Sequence, residues 1–161
     1  MNNLGVYTDY KEPFYALGYF GEYITFFITC SLIYSRYIYF FFYLITFVFN
    51  RFLNTFLKNT LKEETPNNPI KFLESEQFTK TNYRNPSGHV QVSFFSFMYA
   101  YLVLGQMTKL IFLSFIVCII TIYQRYMFRN HTLKQLLFGA VLGLLTAYVS
   151  YSLVNFIQQI I

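Results

Sequence analysis

Apolar residues in this chain fall in long unbroken runs, not in the alternating or three-to-four spacing of a soluble fold. The runs are Ala16 to Tyr34, Tyr37 to about Leu57 (interrupted by Asn50 and Arg51), Val90 to Leu104, Leu110 to Phe128, and Leu136 to Ile161. A bilayer core takes about 20 apolar residues per helix. The shorter runs reach that length once flanking tyrosines and snorkelling Lys or Arg side chains are included. The pattern predicts an all-α, multi-pass integral membrane bundle of about five transmembrane helices, with only Ser35 and Arg36 between the first two. Residues 1–15 read as a polar N-terminal arm and 16–161 as a single membrane-embedded domain. Residues 63–86 read as its one long polar loop, in which PIKFLESEQF suits a short interfacial helix.

That many crossings puts the end of helix two, the start of helix three, the end of helix four and the start of helix five on one membrane face. The polar residues gather at those points: Lys58 and Lys62, then Pro86-Ser87-Gly88-His89, then Arg125, Arg129, His131 and Lys134. Composition supports the membrane reading, with 55% hydrophobic and 12% charged residues. A soluble domain of this size needs a more polar surface. The first run lacks a basic leader segment and is long, so it reads as a span and not as a cleaved signal peptide. The net charge of +5 sits at helix ends, which points to lipid headgroups or phosphate as partners and not to nucleic acid. Cys30 and Cys118 lie inside apolar runs and read as packing residues.

The PSGH stretch is suited to an anion. Ser87 is a good N-cap residue, and Gly88 permits close approach to the backbone. The helix start offers free N–H groups and a positive dipole end. His89 stands where it can exchange a proton with the bound group. The chain has 2 histidines, and His131, near Arg125, falls on the same face. Arginine suits bidentate contact with phosphate oxygens. One histidine can attack phosphorus while the other protonates the leaving oxygen.

These three clusters resemble the signature of the type 2 phosphatidic acid phosphatases, which share a fold with the vanadium haloperoxidases. That signature is Lys, six residues, Arg-Pro; then Pro-Ser-Gly-His; then Ser-Arg, five residues, His, three residues, Asp. Here Lys58 is followed after six residues by Thr65-Pro66, Pro86-Ser87-Gly88-His89 is unchanged, and Gln124-Arg125 leads after five residues to His131 and after three more to Gln135. The likeness spans roughly residues 20 to 155. Three positions depart from it: Thr65 replaces an arginine, Gln124 a serine and Gln135 an aspartate. The dolichyl diphosphate phosphatases look similar at the last of these, with His-Thr-x-x-Gln in the third motif and Gln two residues after the second-motif histidine. His131-Thr132-Leu133-Lys134-Gln135 and His89-Val90-Gln91 match them.

The resemblance implies a lipid phosphatase or diphosphatase, acting on a phosphate monoester or a polyprenyl-type diphosphate. It implies that Lys58, Arg125, Ser87 and Gly88 hold the phosphate, that His131 forms a phosphohistidine, and that His89 protonates the leaving group. Gln135 would accept from the His131 Nδ1–H in place of the aspartate and fix the tautomer. Arg84, Lys62 and Arg129 are candidates to replace the missing arginine, Arg84 foremost. No cofactor and no metal is implied. A lipid phosphotransferase on the same fold, or a non-enzymatic membrane protein with a decayed site, stays open as an alternative. Positive residues on the site's face favour the cytosol, whereas a dolichyl diphosphatase faces the lumen. The endoplasmic reticulum or another internal membrane is a candidate location. The oligomeric state is not legible.

Four further features complete the reading. Glu22 is expected at the interface in water, with lining of the site as the alternative. Asn50 and Arg51 are expected to face the bundle interior or to mark a bend. Gly139 and Gly143 are expected to pack helices within one chain. Asn130-His131-Thr132 is formally a glycosylation sequon that should stay unmodified.

Overall fold

A computed structural model describes residues 13–64, 66–72 and 83–160. Its helices are α1 (Pro13–Tyr19), α2 (Gly21–Ile33), α3 (Tyr37–Leu61), α4 (Gly88–Leu104), α5 (Lys109–Met127) and α6 (Leu133–Ile160). The expected all-α bundle is there, with one change. The first apolar run is not a single rod, because α1 and α2 meet at 69° around Phe20. Gly18 and Gly21 seat this elbow against α5. A β-carbon on Gly18 would lie 2.8 Å from the Ile120 carbonyl oxygen, and one on Gly21 would lie 2.0 Å from Thr121 Oγ1. Pro13 to Tyr15, assigned to the polar arm on sequence, already form the first turn of α1. The rest of that arm lies outside the described residues.

Three helices (α3, α5 and α6) are long and apolar enough to cross a membrane, and the bent α1–α2 pair adds a fourth when the two are counted as one span. This is a multi-pass membrane protein. α4 is shorter, at 17 residues, or about 25 Å at 1.5 Å per residue. It occupies the centre of the bundle, and from Val90 to Phe97 every residue is buried. The outer helices turn large apolar side chains outward. On α3, Tyr37, Phe41, Ile45, Phe49, Phe52 and Phe56 are all exposed. Their spacing of three and four residues makes one exposed stripe along α3, as expected of a surface solvated by lipid.

Aromatic residues fill the core beside α4. The Tyr43 and Phe95 rings stack with centroids 5.3 Å apart, and the Tyr43 hydroxyl meets Ser96 Oγ at 2.8 Å. Tyr43 thus satisfies its one polar group while burying its ring. α4 and α6 meet backbone to backbone at Gly139 and Gly143. A β-carbon on Gly139 would stand 2.6 Å from the Ser87 carbonyl oxygen. The two glycines pack helices within the chain, as expected.

The long loop returns to the bundle at both described ends. Arg84 N–H donates to the Glu63 carbonyl at 2.8 Å, and Ile70 N–H donates to the Phe128 carbonyl at 2.8 Å. Glu64 and Tyr83 form an antiparallel bridge. The proposed PIKFLESEQF helix falls largely outside the described residues, and its described start, Pro69 to Phe72, is not helical.

Candidate active site

The ends of α3 and α5 and the starts of α2, α4 and α6 come together at one end of the bundle. A polar cavity of about 520 Å³ opens there. Lys58 from α3, Arg84 from the loop, Gly88 and His89 from α4, Arg125 from α5 and His131 from the α5–α6 link all line it. Three separate stretches of sequence, at 58, 84–89 and 125–131, therefore supply one pocket, as their placement on a single membrane face predicts. Cations and histidines in a low-dielectric bundle end form a site for an anion.

Arg125 is 2 % exposed. Its guanidinium lies over the Tyr19 ring, 5.1 Å from the centroid. With its amide assigned the orientation that satisfies both ends, Asn130 accepts from Arg125 Nη1 at 3.2 Å and donates to the Ile70 carbonyl at 3.3 Å. A guanidinium fixed from two sides keeps its fork pre-oriented for oxygen ligands. Asn130 is itself 1% exposed, which leaves its sequon no room for a glycan.

His131 is buried. Its burial first, then the charges of Arg125, Lys58 and Arg84, push its imidazole well below the ordinary range, with the Arg84 main chain working the other way. The ring is neutral at neutral pH, the state a nucleophile needs. The expected Gln135 contact is not made. Gln135 Oε1 instead accepts from Thr132 N–H at 3.1 Å, and its Nε2 donates to the Glu64 carbonyl at 3.2 Å. With Gln135 N–H bonded to Thr132 Oγ1 at 3.3 Å, this is a capping box closing the start of α6. His131 Nδ1 has no hydrogen-bond partner. Gln135 builds the turn that carries His131 and makes no hydrogen bond to its Nδ1.

Ser87 also departs from expectation. It occupies the N-cap position of α4, but its side chain makes no capping bond. Its N–H donates to the Gln135 carbonyl at 3.2 Å, and its buried Oγ has no partner. Ser87 therefore anchors α4 to α6 with its main chain, and its own N–H is not open to a ligand. The open donors are those of the following first turn, which a helix leaves unpaired. Gly88 lines the cavity, but the space it frees is filled by Asn54, whose Oδ1 would lie 3.1 Å from an added β-carbon.

A buried amide network supports this turn from below. Asn54 Nδ2 donates to Gln91 Oε1 at 2.9 Å and to the Pro86 carbonyl at 3.2 Å. Gln91 Nε2 donates to Asn50 Oδ1 at 2.9 Å, and Thr146 Oγ1 donates to the same oxygen at 3.0 Å. Pairing of this kind is what makes three amides tolerable inside a bundle. It fixes α3, α4 and α6 relative to one another directly behind the cavity.

Several site residues escape the sequence reading. Glu22, expected in water, is 3% exposed and lines the cavity, with its carboxylate 2.8 Å from Arg51 Nη2. Arg51 lines the cavity too. A signal for it exists, since Arg51, Asn54 and Lys58 are spaced three and four apart and so share one face of α3. Of the candidates to replace the missing arginine, Arg84 lines the cavity. Lys62 is exposed as the left-handed C-cap of α3. Arg129 is exposed and lines a neighbouring cavity that His131 also borders. Thr65 lies outside the described residues. Lys134 pairs with Glu63 at 2.9 Å on the surface.

Comparison with protein families decides the relationship: a family model described as PAP2 superfamily matches residues 36–159. The chain belongs to the PAP2 superfamily. No curated protein and no solved structure matches it. The matched span contains all three clusters of this PAP2 chain, from Lys58 to Gln135. It starts after the α1–α2 elbow, so Tyr19 and Glu22 are additions to the cavity from outside that span.

Proposed function

We propose that this membrane protein hydrolyses a lipid phosphate monoester or a polyprenyl-type diphosphate through a phosphohistidine. The observation that carries the proposal is the cavity where Lys58, Arg84 and Arg125 face His89 and His131. The three cations hold the phosphate and stabilise the charge that spreads over its equatorial oxygens in the transition state. The neutral His131 attacks phosphorus. A nitrogen–phosphorus bond forms, the bond to the leaving oxygen breaks, and His89 gives that oxygen a proton. Water then attacks the phosphohistidine, losing a proton to His89, and phosphate leaves with both histidines restored.

Within this reading, membership of the PAP2 superfamily supports phosphatase chemistry. The finer preference for a polyprenyl-type diphosphate rests on Gln91 and Gln135. Gln91 is a structural amide in the buried network and Gln135 a helix cap. They mark a subgroup by the way they build the site and not by touching the substrate. The resemblance to the dolichyl diphosphate phosphatases supports placement in the endoplasmic reticulum or another internal membrane as part of this proposal. The test is phosphate release by the purified protein in detergent, measured on phosphatidic acid, lysophosphatidic acid, and short polyprenyl monophosphates and diphosphates. Release from at least one of them, abolished by His131→Ala, supports the proposal. No release from any of them by folded protein contradicts it and favours a decayed site.

A further inference from the structure

Among the cavity residues outside the signature, Glu22 and Arg51 form a pair. Glu22 Oε1 lies 2.8 Å from Arg51 Nη2 and 3.8 Å from His89 Nε2, while Oε2 is buried without a partner. A carboxylate at 3 % exposure is costly to keep charged, and one ion pair offsets that cost only in part. Packing of the elbow does not call for it, since Gly18 and Gly21 make the close contacts there.

The surroundings of His89 show what the carboxylate can do. Arg51 and Lys58 face it from α3, Arg125 from α5, and His131 from the α5–α6 link. Tyr19 lies beside it from α1, with ring centroids 6.2 Å apart. Among the described residues lining the cavity, Glu22 is the one carboxylate. Nearby positive charges oppose protonation of an imidazole, and a nearby carboxylate favours it. A general acid has to carry its proton before the leaving group departs. The phosphate supplies negative charge on one side of His89, and the Glu22 carboxylate lies on another.

We infer that Glu22, fixed by Arg51 and 3.8 Å from His89 Nε2, is a positioning residue that favours the protonated form of His89 against the surrounding cations when it donates to the leaving oxygen. The inference rests on the reading of His89 as the acid in the proposed hydrolysis. At 3.8 Å the Glu22–His89 contact is too long for a hydrogen bond and acts through charge. Glu22 exchanges no proton itself. The proton that reaches the leaving oxygen comes from the His89 imidazolium and is replaced from the attacking water.

The chain's 2 histidines make a direct measurement feasible. Protein labelled with ¹⁵N in its histidine rings is titrated in detergent, with saturating orthophosphate, as wild type and as Glu22→Gln. His131→Gln provides the assignment. The expected result is a fall of about one pH unit or more in the His89 pKa, with His131 moving less. Turnover is measured in parallel on an alkyl phosphate and on 4-nitrophenyl phosphate, whose leaving group departs without a proton. Glu22→Gln should lose at least about tenfold on the alkyl ester, the rate equivalent of that shift, and little on the nitrophenyl ester. Glu22→Asp, which keeps the charge, should stay near wild type on both. An unmoved His89 titration, or equal losses on the two esters, overturns the inference. If wild type hydrolyses neither ester but its His89 pKa still falls on Glu22→Gln, the hydrolase reading fails and the pairing stands.

Discussion

A β-carbon placed on Gly143 would stand 2.2 Å from the Gln91 carbonyl oxygen. Gln91 is a central member of the amide network under the PSGH turn, so this glycine sets how deeply α4 sinks against α6. Gly143→Ala should force the two backbones apart and cost about 1–3 kcal/mol. Detergent-resistant thermal unfolding measures the loss. Turnover should fall with it, because the displaced helix carries His89. A variant with unchanged melting temperature and activity would mean that the two helices sit farther apart.

A second prediction concerns the missing arginine. Arg84 shares the cavity with Lys58, whereas Lys62 and Arg129 are exposed beyond it. Arg84→Ala should reduce kcat/KM about tenfold to a hundredfold, the loss of one charge-assisted contact of roughly 1.5–3 kcal/mol. Lys62→Ala should cost less than twofold. Steady-state kinetics on the best substrate compares them directly. Equal losses in the two variants would remove Arg84 from the phosphate site.

The pH profile follows from His131. Burial and the nearby cations hold its imidazole well below the ordinary histidine range, which is about 6.5 in the unfolded chain. The folded state thus binds fewer protons, and His131 stays neutral through pH 6.5 and loses nucleophilicity only below it. The acid limb of kcat/KM, which reports the free enzyme, should therefore fall below pH 6.5. Arg125→Gln removes the largest of the opposing charges and should move that limb upward. An acid limb at or above pH 7 would contradict a neutral His131.

Metal removal makes a fourth test. Among the described residues, no group of three His, Cys, Asp or Glu side chains could hold a metal ion. The proposed chemistry rests on cations supplied by Lys58, Arg84 and Arg125. Activity should survive dialysis against EDTA within about twofold. Loss on chelation, restored by a divalent metal, would transfer the role of these side chains to an ion.

Much of this was legible in sequence. Runs of apolar residues show the helices directly, because lipid-facing and buried positions are both apolar. Lys58, His89, Arg125 and His131 were placed on one face by counting crossings, and they share one cavity. The elbow at Phe20 was not legible, since the run from Ala16 to Tyr34 has no proline and its glycines read as ordinary membrane residues. Gln135 misled because its position in the motif suggests contact with His131, while the amide is consumed by capping α6. A carboxylate near a helix start is usually wetted, so sequence favours water for Glu22 over the alternative of lining the site, which is what it does. Only the fold brings Arg51 to it from another helix.

The most direct measurement of the central claim is the chemical identity of the intermediate. Purified protein is mixed with a lipid phosphate substrate labelled with ³²P, quenched within the first turnovers in base, and mapped by peptide sequencing. The account predicts an acid-labile, base-stable phosphate on the peptide containing His131, absent in His131→Ala and accumulating in variants whose second step is slowed. Phosphate on another residue, or label that persists in His131→Ala, would contradict it.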